Sequence, residues 1–232
     1  MNEENFMRIA QAEYSIASSE LSKFSPQEAI VRFYRRHDSS IKNTINSIST
    51  KPVCLAGCSY CCYYKVEVRA LEVLAIQQFV VSNFEPEKIR QIIEQASRNV
   101  SEAKGLSYEE HLVTNQQCPF LIENQCAVYA VRPSKCRNFH SADVQGCKES
   151  YEQPENLTIP NAFIEEVFDA GNGATMGFEK ASDVSGLDSR CYDLNSAFLE
   201  AMESTKFAKR MKSGKKAFLS ATIVNVPDEA TF

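Results

Sequence analysis

Eight of the nine cysteines of this 232-residue chain fall into two clusters, and these are the residues best suited to chemistry. The first cluster lies between residues 54 and 62, beside Gly57, Ser59 and Tyr60, and the second is spread over residues 118–147. Cysteines that serve only as small apolar core residues do not collect at turns, whereas a soft metal ion or an iron–sulfur cluster needs thiolates gathered there. The clusters therefore predict a metal centre, with eight candidate ligands: Cys54, Cys58, Cys61, Cys62, Cys118, Cys126, Cys136 and Cys147.

The spacing within the first cluster is typical of metal-binding loops. Cys54, Cys58 and Cys61 follow a Cys-x3-Cys-x2-Cys pattern, which lets several sulfurs face one centre across a tight turn. Radical S-adenosylmethionine enzymes hold three corners of a four-iron cube with this spacing, but their motif continues into alternating β/α units, whereas helices are predicted here. Successive side chains such as Cys61 and Cys62 generally diverge, so one zinc ion does not easily take both.

Two metals, zinc and iron, stay open as alternatives, and three arrangements of them fit eight cysteines. Eight thiolates suit two zinc sites of four cysteines each, one 4Fe–4S cluster with four further thiols, or one site of each kind. The Cys-x3-Cys-x2-Cys spacing and the Cys118-Pro119 pair favour an iron–sulfur cluster slightly over zinc.

Composition and charge exclude several classes of protein. Hydrophobic residues make up 44% of the chain and charged residues 24%, as in an ordinary globular protein. The net charge is −5 without a long basic block, so no nucleic-acid partner is predicted. The acidic N-terminal residues lack an apolar signal segment, and no apolar run approaches the roughly 18 residues of a membrane helix. We expect a cytoplasmic protein without membrane contact, in which reduced thiols bind metal rather than form disulfides.

Hydrophobic periodicity predicts a mainly α fold with a small β-hairpin, a helical domain around a cysteine-rich metal-binding loop core. The hairpin is expected between Cys118 and Cys126, and a short strand at Tyr64–Val68. We expect one compact unit of three segments: N-terminal helices in residues 1–50, the cysteine-cluster domain in 51–150 and C-terminal helices in 151–232. The predicted helices cover residues 5–21, 26–49, 70–82, 86–104, 161–171 and 193–211.

Two histidines and two arginines have less certain roles. His37 and His111 lie on helical or polar stretches without a neighbouring ligand, so surface positions are expected. Arg132 and Arg137 flank Cys136 and either offset thiolate charge as neighbours of the cluster or pair with carboxylates. Both alternatives stay open for the arginines.

Four other residues attract attention without predicting a site. Gly171, Gly173 and Gly177 do not follow a strand, so we expect a loop or a frayed helix end rather than a nucleotide site. Cys191 stands alone before a predicted helix and is expected to be a plain core or surface cysteine.

From Cys54 to Cys147 the sequence resembles the YkgJ-like cysteine-cluster family, a family of zinc- or iron-chelating domains with a Cys-x-x-x-Cys-x-x-Cys-Cys signature. The similarity continues beyond that signature, because each of the eight cysteines has a counterpart in the family. The second half of the pattern reads Cys118-Pro119-Phe120-Leu121, then Cys126-x-x-Tyr129-x-x-Arg132-Pro133-x-x-Cys136-Arg137, then Cys147.

The resemblance implies a metal-binding protein whose partner is a metal ion or cluster. The same signature occurs in flagellin lysine N-methylases, which use S-adenosylmethionine and are thought to carry an iron–sulfur cluster. It therefore implies one alternative function, an S-adenosylmethionine-dependent protein lysine methyltransferase. A further alternative, which does not depend on the resemblance, is a structural zinc module that presents helices to an unidentified protein partner. The chain lacks a glycine-rich S-adenosylmethionine loop after a strand, which weighs against the methyltransferase.

Overall fold

The computed structural model describes residues 3–160 and 163–224, and this part of the chain is mainly helical. Helices and two short antiparallel sheets alternate along it, so the predicted fold class is confirmed. The helices are α1 Glu3–Leu21, α2 Pro26–Ser47, α3 Ala70–Asn83, α4 Pro86–Glu102, α5 Tyr108–Leu112, α6 Ser134–Asn138, α7 Val144–Glu152, α8 Glu165–Val184, α9 Leu194–Glu203 and α10 Lys206–Lys212. The strands are β1 Glu67–Arg69, β2 Leu121–Ile122, β3 Gln125–Cys126 and β4 Cys191–Asp193, and short 3₁₀ helices cover Tyr60–Tyr63 and Tyr129–Val131.

Helix α2 begins where the sequence predicts, because Ser25 and Glu28 form a capping box. The Ser25 hydroxyl accepts a hydrogen bond from the Glu28 N–H at 3.3 Å, and the Glu28 carboxylate accepts one from the Ser25 N–H at 3.0 Å. Pro26 occupies the first turn, where its missing N–H has no cost. The helix ends at Ser47, two residues before the predicted end.

The prediction of a helix end at Gly171 is wrong, because α8 continues to Val184 through all three glycines. Residues 161 and 162, where that helix was predicted to begin, lie outside the described residues. The glycines allow other backbone to approach. A Cβ atom at Gly173 would lie 2.9 Å from the Phe6 carbonyl oxygen, and one at Gly177 would overlap the Ala10 carbonyl oxygen. Close packing of α8 on α1 thus requires Gly173 and Gly177, although glycine in a sequence ordinarily predicts a break in a helix.

Replacing Gly177 with alanine is expected to lower the free energy of unfolding by about 1–3 kcal/mol, because the added methyl group collides with α1 backbone. Alanine normally stabilises a helix interior by about 1 kcal/mol relative to glycine, so the sign of the change is diagnostic. Urea unfolding of the variant measures it. Lys180→Ala, at an exposed position of the same helix, serves as control and should change stability by less than about 0.5 kcal/mol. A stabilised Gly177→Ala protein would contradict the close approach.

Helix α3 lies at the centre of the core, and its residues explain its position. It packs against α2, α9 and α10, and Val73, Ile76 and Val80 are fully buried. A helix in contact with neighbours on several sides is hydrophobic around most of its circumference, which matches its nearly continuous apolar sequence.

The predicted single helix over residues 193–211 is wrong in one respect, because it is divided into α9 and α10. Ser204 between them is extended, with φ −157° and ψ 129°. The break turns Phe207 and Met211 into the core, where both are fully buried. Burial of two large apolar side chains offsets the helical hydrogen bonds lost at the break.

Strands β1 and β4 tie the segment after the first cysteine cluster to the C-terminal helices. They pair antiparallel, with Val68 opposite Tyr192. The strand predicted at Tyr64–Val68 therefore begins three residues later, at Glu67. Within the described ranges, no helix combines the length and the apolar character that crossing a membrane requires.

Candidate metal centre

The first cysteine cluster is a loop closed by two tight turns. The Cys58 N–H donates to the Leu55 carbonyl at 3.0 Å, and the Cys62 N–H donates to the Ser59 carbonyl at 2.9 Å. Gly57 has φ +92°, a left-handed conformation that favours glycine, so it allows the first turn. The loop thus bends its cysteines around one region.

The second cluster begins with the predicted hairpin, which is confirmed as β2 and β3. Glu123 and Asn124 in the turn both have positive φ, 50° and 57°, as a two-residue hairpin of the right twist requires. The Cys118 N–H donates to the Cys62 carbonyl at 2.8 Å, so backbone hydrogen bonding joins the two clusters directly. Cys126 lies in β3 opposite Leu121.

Helix α7 brings Cys147 to the first loop. The Asp143 carboxylate caps the helix by accepting from the Gln145 N–H at 2.9 Å. At its other end the Tyr151 ring packs against Tyr60 and Tyr63, with centroid distances of 5.7 and 4.8 Å. These contacts fix α7 against the 3₁₀ helix of the first cluster.

Ser141 completes the connection between the first loop and the segment before α7. Its carbonyl accepts from the Val53 N–H at 2.9 Å, and its N–H points to the Cys54 sulfur at 3.4 Å. Sequence reasoning missed Ser141, because its role depends on a partner 87 residues away.

Three cysteines, Cys54, Cys58 and Cys147, are here named the loop set, because they interact through their charges with one another or with Cys61. Burial raises the pKa of Cys147, and the thiolates of Cys54, Cys61 and Cys58 raise it further. The pKa of Cys54 is likewise raised by burial first and by Cys61 and Cys58 next.

Three others, named the hairpin set, interact in the same way. Burial raises the pKa of Cys118 well above its usual range, and Cys136 and Cys126 add to the rise. Desolvation by the surrounding protein, together with the thiolates of Cys61 and Cys126, raises the pKa of Cys136 to about 12, although the residue keeps accessible surface. The hairpin set consists of Cys118, Cys126 and Cys136.

Cys61 and its neighbour Cys62 are members of neither set. A hydrogen bond with Cys62 raises the pKa of Cys61 far above its usual range, and burial adds to it. The charge of Cys61 also acts on members of both sets. Several thiolates so placed repel one another, and a bound cation offsets that repulsion, so the donor chemistry fits a soft metal.

The sulfurs are neighbours, but they are not drawn into one coordination sphere. In the described part of the chain, no three Cys, His, Asp or Glu side chains converge closely enough to hold a metal ion. All nine cysteines are described and none forms a disulfide. The structure therefore brings the eight predicted ligands to one region without testing which of them bind.

Comparison with known proteins gives one match. Residues 53–161 match the model of the CxxCxxCC family, described as "Putative zinc- or iron-chelating domain". The match covers 109 of the 232 residues of the chain. All eight clustered cysteines lie inside the matched chelating domain, and Cys191 lies outside it. No curated protein and no solved structure matches the chain.

Of the two alternatives left open for the arginines, pairing with a carboxylate is found for Arg137, whose partner lies outside the matched residues. Its side chain is fully buried, and Nη1 donates to both Asp38 carboxylate oxygens at 2.7 Å. Nε and Nη2 donate to the Arg132 and Ala130 carbonyls at 2.9 and 2.5 Å, and the guanidinium lies 4.0 Å from the centroid of the Tyr34 ring. Arg137 thus anchors the segment that carries Cys136 to α2.

Arg132 has a weaker partner and a stacking contact. Its guanidinium lies 3.8 Å from the centroid of the Tyr129 ring, and Nη2 is 3.9 Å from Asp38. Burial raises the pKa of Cys126, and the charges of Arg132 and Arg137 oppose that rise. Both arginines therefore favour the thiolate of a candidate ligand, as well as pairing with carboxylate.

The surface position predicted for His37 is wrong. His37 is fully buried on the face of α2 that contacts α8; its ring lies edge-on to Phe33 at 5.3 Å, and Nε2 is 3.4 Å from the Thr175 hydroxyl. Burial lowers the pKa of His37 to about 4, and the nearby charge of Arg137 also lowers it. The neutral imidazole thus occupies a buried position of α2, whereas the sequence pattern of the helix predicts a surface position for a histidine there.

Acidification is expected to destabilise the protein through His37. The unfolded chain takes up this proton near the ordinary histidine pKa of about 6.5, whereas the folded chain takes it up only near 4, so protons favour unfolding between these values. The resulting loss in the free energy of unfolding is absent above pH 6.5 and grows to about 3 kcal/mol as the pH falls to 4. Urea unfolding should show a shallower pH dependence for His37→Gln than for wild type or the control His111→Gln. Parallel curves for all three would contradict the buried neutral state.

Cys191 stands apart from the chelating domain's thiols, in agreement with its prediction as a plain cysteine. It lies half-buried in β4, where burial raises its pKa to about 11 and the charge of Arg69 lowers it. After burial, the groups that act on its pKa most strongly are Arg69 and three carboxylates, Glu67, Glu179 and Glu72. Cys191 therefore serves as a control position for experiments on the eight candidate ligands.

Proposed function

We propose that this protein binds iron in iron–sulfur clusters through the eight clustered cysteines, with four cysteines at each of two adjacent centres. The carrying observation is that the charge of Cys61 acts on thiols of both sets, while the carbonyl of its neighbour Cys62 accepts a hydrogen bond from the Cys118 N–H. Each set needs one further thiolate to reach four, the number that both tetrahedral zinc and iron–sulfur clusters require. The vicinal pair supplies one ligand to the loop set and one to the hairpin set.

Backbone conformation supports this sharing of the vicinal pair. Cys61 and Cys62 belong to a 3₁₀ helix, in which 3.0 residues per turn separate successive side chains by about 120°. One sulfur can then face each set, and the peptide bond between Cys61 and Cys62 keeps the two centres adjacent. Metal binding further requires side-chain rotation that draws the sulfurs together, which suits the exposed Cys54 and the half-buried Cys58 and Cys147.

Two features favour iron–sulfur over zinc. The Cys-x3-Cys-x2-Cys loop and the Cys118-Pro119 pair are typical of cluster loops. In addition, the rings of Tyr63 and Tyr151 pack against each other beside the first cysteine cluster, where they would limit the access of water to bound iron. When bound, such a cluster supplies one-electron transfer, and the protein's residues hold it and set its exposure.

Metal analysis of anaerobically purified protein tests the proposal. We expect a brown preparation with visible thiolate-to-iron absorbance, and iron with acid-labile sulfide in stoichiometric amounts. A colourless preparation with stoichiometric zinc would reject the iron–sulfur form and leave zinc chelation by the same cysteines. A preparation without either metal, after growth with both supplied, would reject metal binding altogether.

The structure offers no support for the methyltransferase alternative. In the described residues, β1 passes into α3 at Arg69–Ala70 and β4 passes into α9 at Asp193–Leu194, in both cases without a glycine-rich loop. Such a loop after a strand is the usual way to hold the nucleoside part of a cofactor. We expect calorimetric titration of the metal-loaded protein with S-adenosylmethionine to show no binding.

A further inference from the structure

A cavity of about 260 Å³ lies between α2, α3, α8 and the loop after α8, outside the cysteine sets. Its inner wall is apolar and formed by buried residues of all these elements. Phe33 and Phe178 stack there with ring centroids 4.3 Å apart and planes 11° from parallel. Ile30, Leu71 and Leu187 continue this wall. Such an enclosed apolar wall suits a flat or branched hydrocarbon group.

Helix α8 forms the rim with residues spaced three or four apart. Thr175, Glu179 and Asp183 share one face of the helix, and all three line the cavity. Asp183 is exposed and Met176 is 38% exposed, so this side is open to solvent. A ligand therefore enters beside α8 and leaves its polar end between Glu179 and Asp183.

The charges along the cavity favour a cationic ligand. Among the described residues that line it, four are carboxylates and two are cations. Of the cations, Arg69 is already engaged, because its guanidinium donates to Glu179 at 2.7 Å and also to the Ser189 carbonyl. Arg69 therefore has little left to offer an anionic ligand, and the other cation, Lys180 of α8, is exposed to solvent.

Two of the four carboxylates are saturated by internal donors and do not select a ligand. Glu72 accepts from the Arg69 N–H at 3.0 Å and from the N–H and hydroxyl of Ser134 at 2.8 Å each. Asp188 accepts from the Tyr192 hydroxyl at 2.6 Å and the Ala217 N–H at 2.8 Å. Recognition therefore belongs to the rim of α8, to the exposed Asp183 carboxylate and to the one oxygen of Glu179 that does not accept from Arg69, four residues before it.

We infer that this cavity is a binding site for a small primary amine with an aromatic or branched apolar body. The apolar body packs against Phe33 and Phe178, and the ammonium donates hydrogen bonds to Glu179 and Asp183. The site does not depend on the metal centre, since none of the eight candidate ligands lines the cavity.

Calorimetric titration of the full-length protein as purified, with phenethylamine as probe, tests the inference. The expected Kd is about 1 mM or tighter, a modest value for a ligand of this size. Phenethyl alcohol and phenylacetate, which keep the ring but lack the ammonium, should bind at least about tenfold more weakly. Failure to bind phenethylamine, or equal binding of the alcohol or the acid, would overturn it.

Variants separate the polar and apolar parts of the site. Asp183→Asn and Glu179→Gln should each weaken phenethylamine binding about tenfold, and Met176→Trp at the rim should abolish it by filling the entrance. Asp183 is exposed, so its variant should fold even if Glu179→Gln disturbs the pair with Arg69. Glu166→Gln, on α8 but outside the cavity, should leave the affinity unchanged. Unchanged binding by Asp183→Asn would contradict the site, whatever metal the protein proves to contain.

Discussion

Replacing Cys58 or Cys136 with serine is expected to remove about half of the bound metal, because each variant empties one of the two proposed four-thiolate centres. The thermal midpoint should fall with it, by about 10 °C, since metal binding energy is partly folding energy and each kcal/mol corresponds to about 2–4 °C at this chain length. Elemental analysis and calorimetric melting measure the two effects on the same samples.

The physical reason is the length of chain that the centres close. Cys58 and Cys147 of the loop set are separated by α3, α4, the hairpin and α6, and the hairpin set joins Cys118 to Cys136 within that span. A metal that links such distant positions restricts the unfolded chain only when all its ligands are present.

Cys191→Ser is the matched control for both variants and should change neither metal content nor thermal midpoint. Full metal occupancy with wild-type stability in Cys58→Ser would contradict ligation by the loop set. The same result in Cys136→Ser would contradict the hairpin set independently, so the two halves of the proposal are tested separately. Loss of all metal in either variant would indicate a single shared centre instead of two.

Replacing Asp38 with alanine is expected to lower the free energy of unfolding by about 2–4 kcal/mol, because it leaves the buried guanidinium of Arg137 without its carboxylate. The loss is smaller than for a pair buried on both sides, since the Asp38 side chain is 50% exposed and water reaches it. Asp38→Asn keeps one oxygen acceptor and should lose less. Urea unfolding of both variants measures the difference.

A surface ion pair provides the comparison for Asp38. Glu87 and Arg90 pair one turn apart on α4, with side chains 60% and 64% exposed, so Glu87→Ala should change stability by less than about 0.5 kcal/mol. If Asp38→Ala proved as mild as Glu87→Ala, Arg137 would not depend on its pair with α2. The segment that carries Cys136 would then be anchored by the backbone carbonyls of Ala130 and Arg132.

The Arg137–Asp38 pair also indicates how the chelating domain relates to the helices around it. Arg137 lies one residue after a candidate ligand and contacts a carboxylate 99 residues earlier in the chain. A helix outside the family match therefore holds the position of Cys136, and the N-terminal helices contribute to the geometry of the site. The division into segments 1–50, 51–150 and 151–232 stays a prediction.

Local sequence signals predicted the elements whose causes are local. The Ser25–Glu28 capping box and Pro26 placed the start of α2, and the polar turn between Cys118 and Cys126 placed the hairpin. These features depend on residues within one turn of each other, so the interactions that form them can be recognised from the sequence alone. The eight cysteines were recognisable for the same reason, because turn spacing and thiol chemistry need no distant partner.

Features that depend on distant partners were predicted wrongly or not at all. Gly177 was expected in a loop or a frayed helix end, because the sequence does not show that α1 backbone approaches it. His37 was expected at the surface, although packing against Phe33 and α8 buries it as a neutral ring. Asp38 gave no signal, since one acidic residue on an amphipathic helix ordinarily faces water.

By itself, the sequence determined that the chain is mainly helical, that residues 53–161 are of a chelating type and which eight thiols are candidate ligands. Only the tertiary structure decided which of the segments that carry those thiols meet: the Cys118 N–H donates to the Cys62 carbonyl, and the Ser141 N–H points to the Cys54 sulfur. The reason is that spacing along the chain limits which sulfurs can share a turn, whereas grouping across 90 residues depends on how helices pack. Packing is a property of contacts between distant segments, and it arises only when the whole core forms.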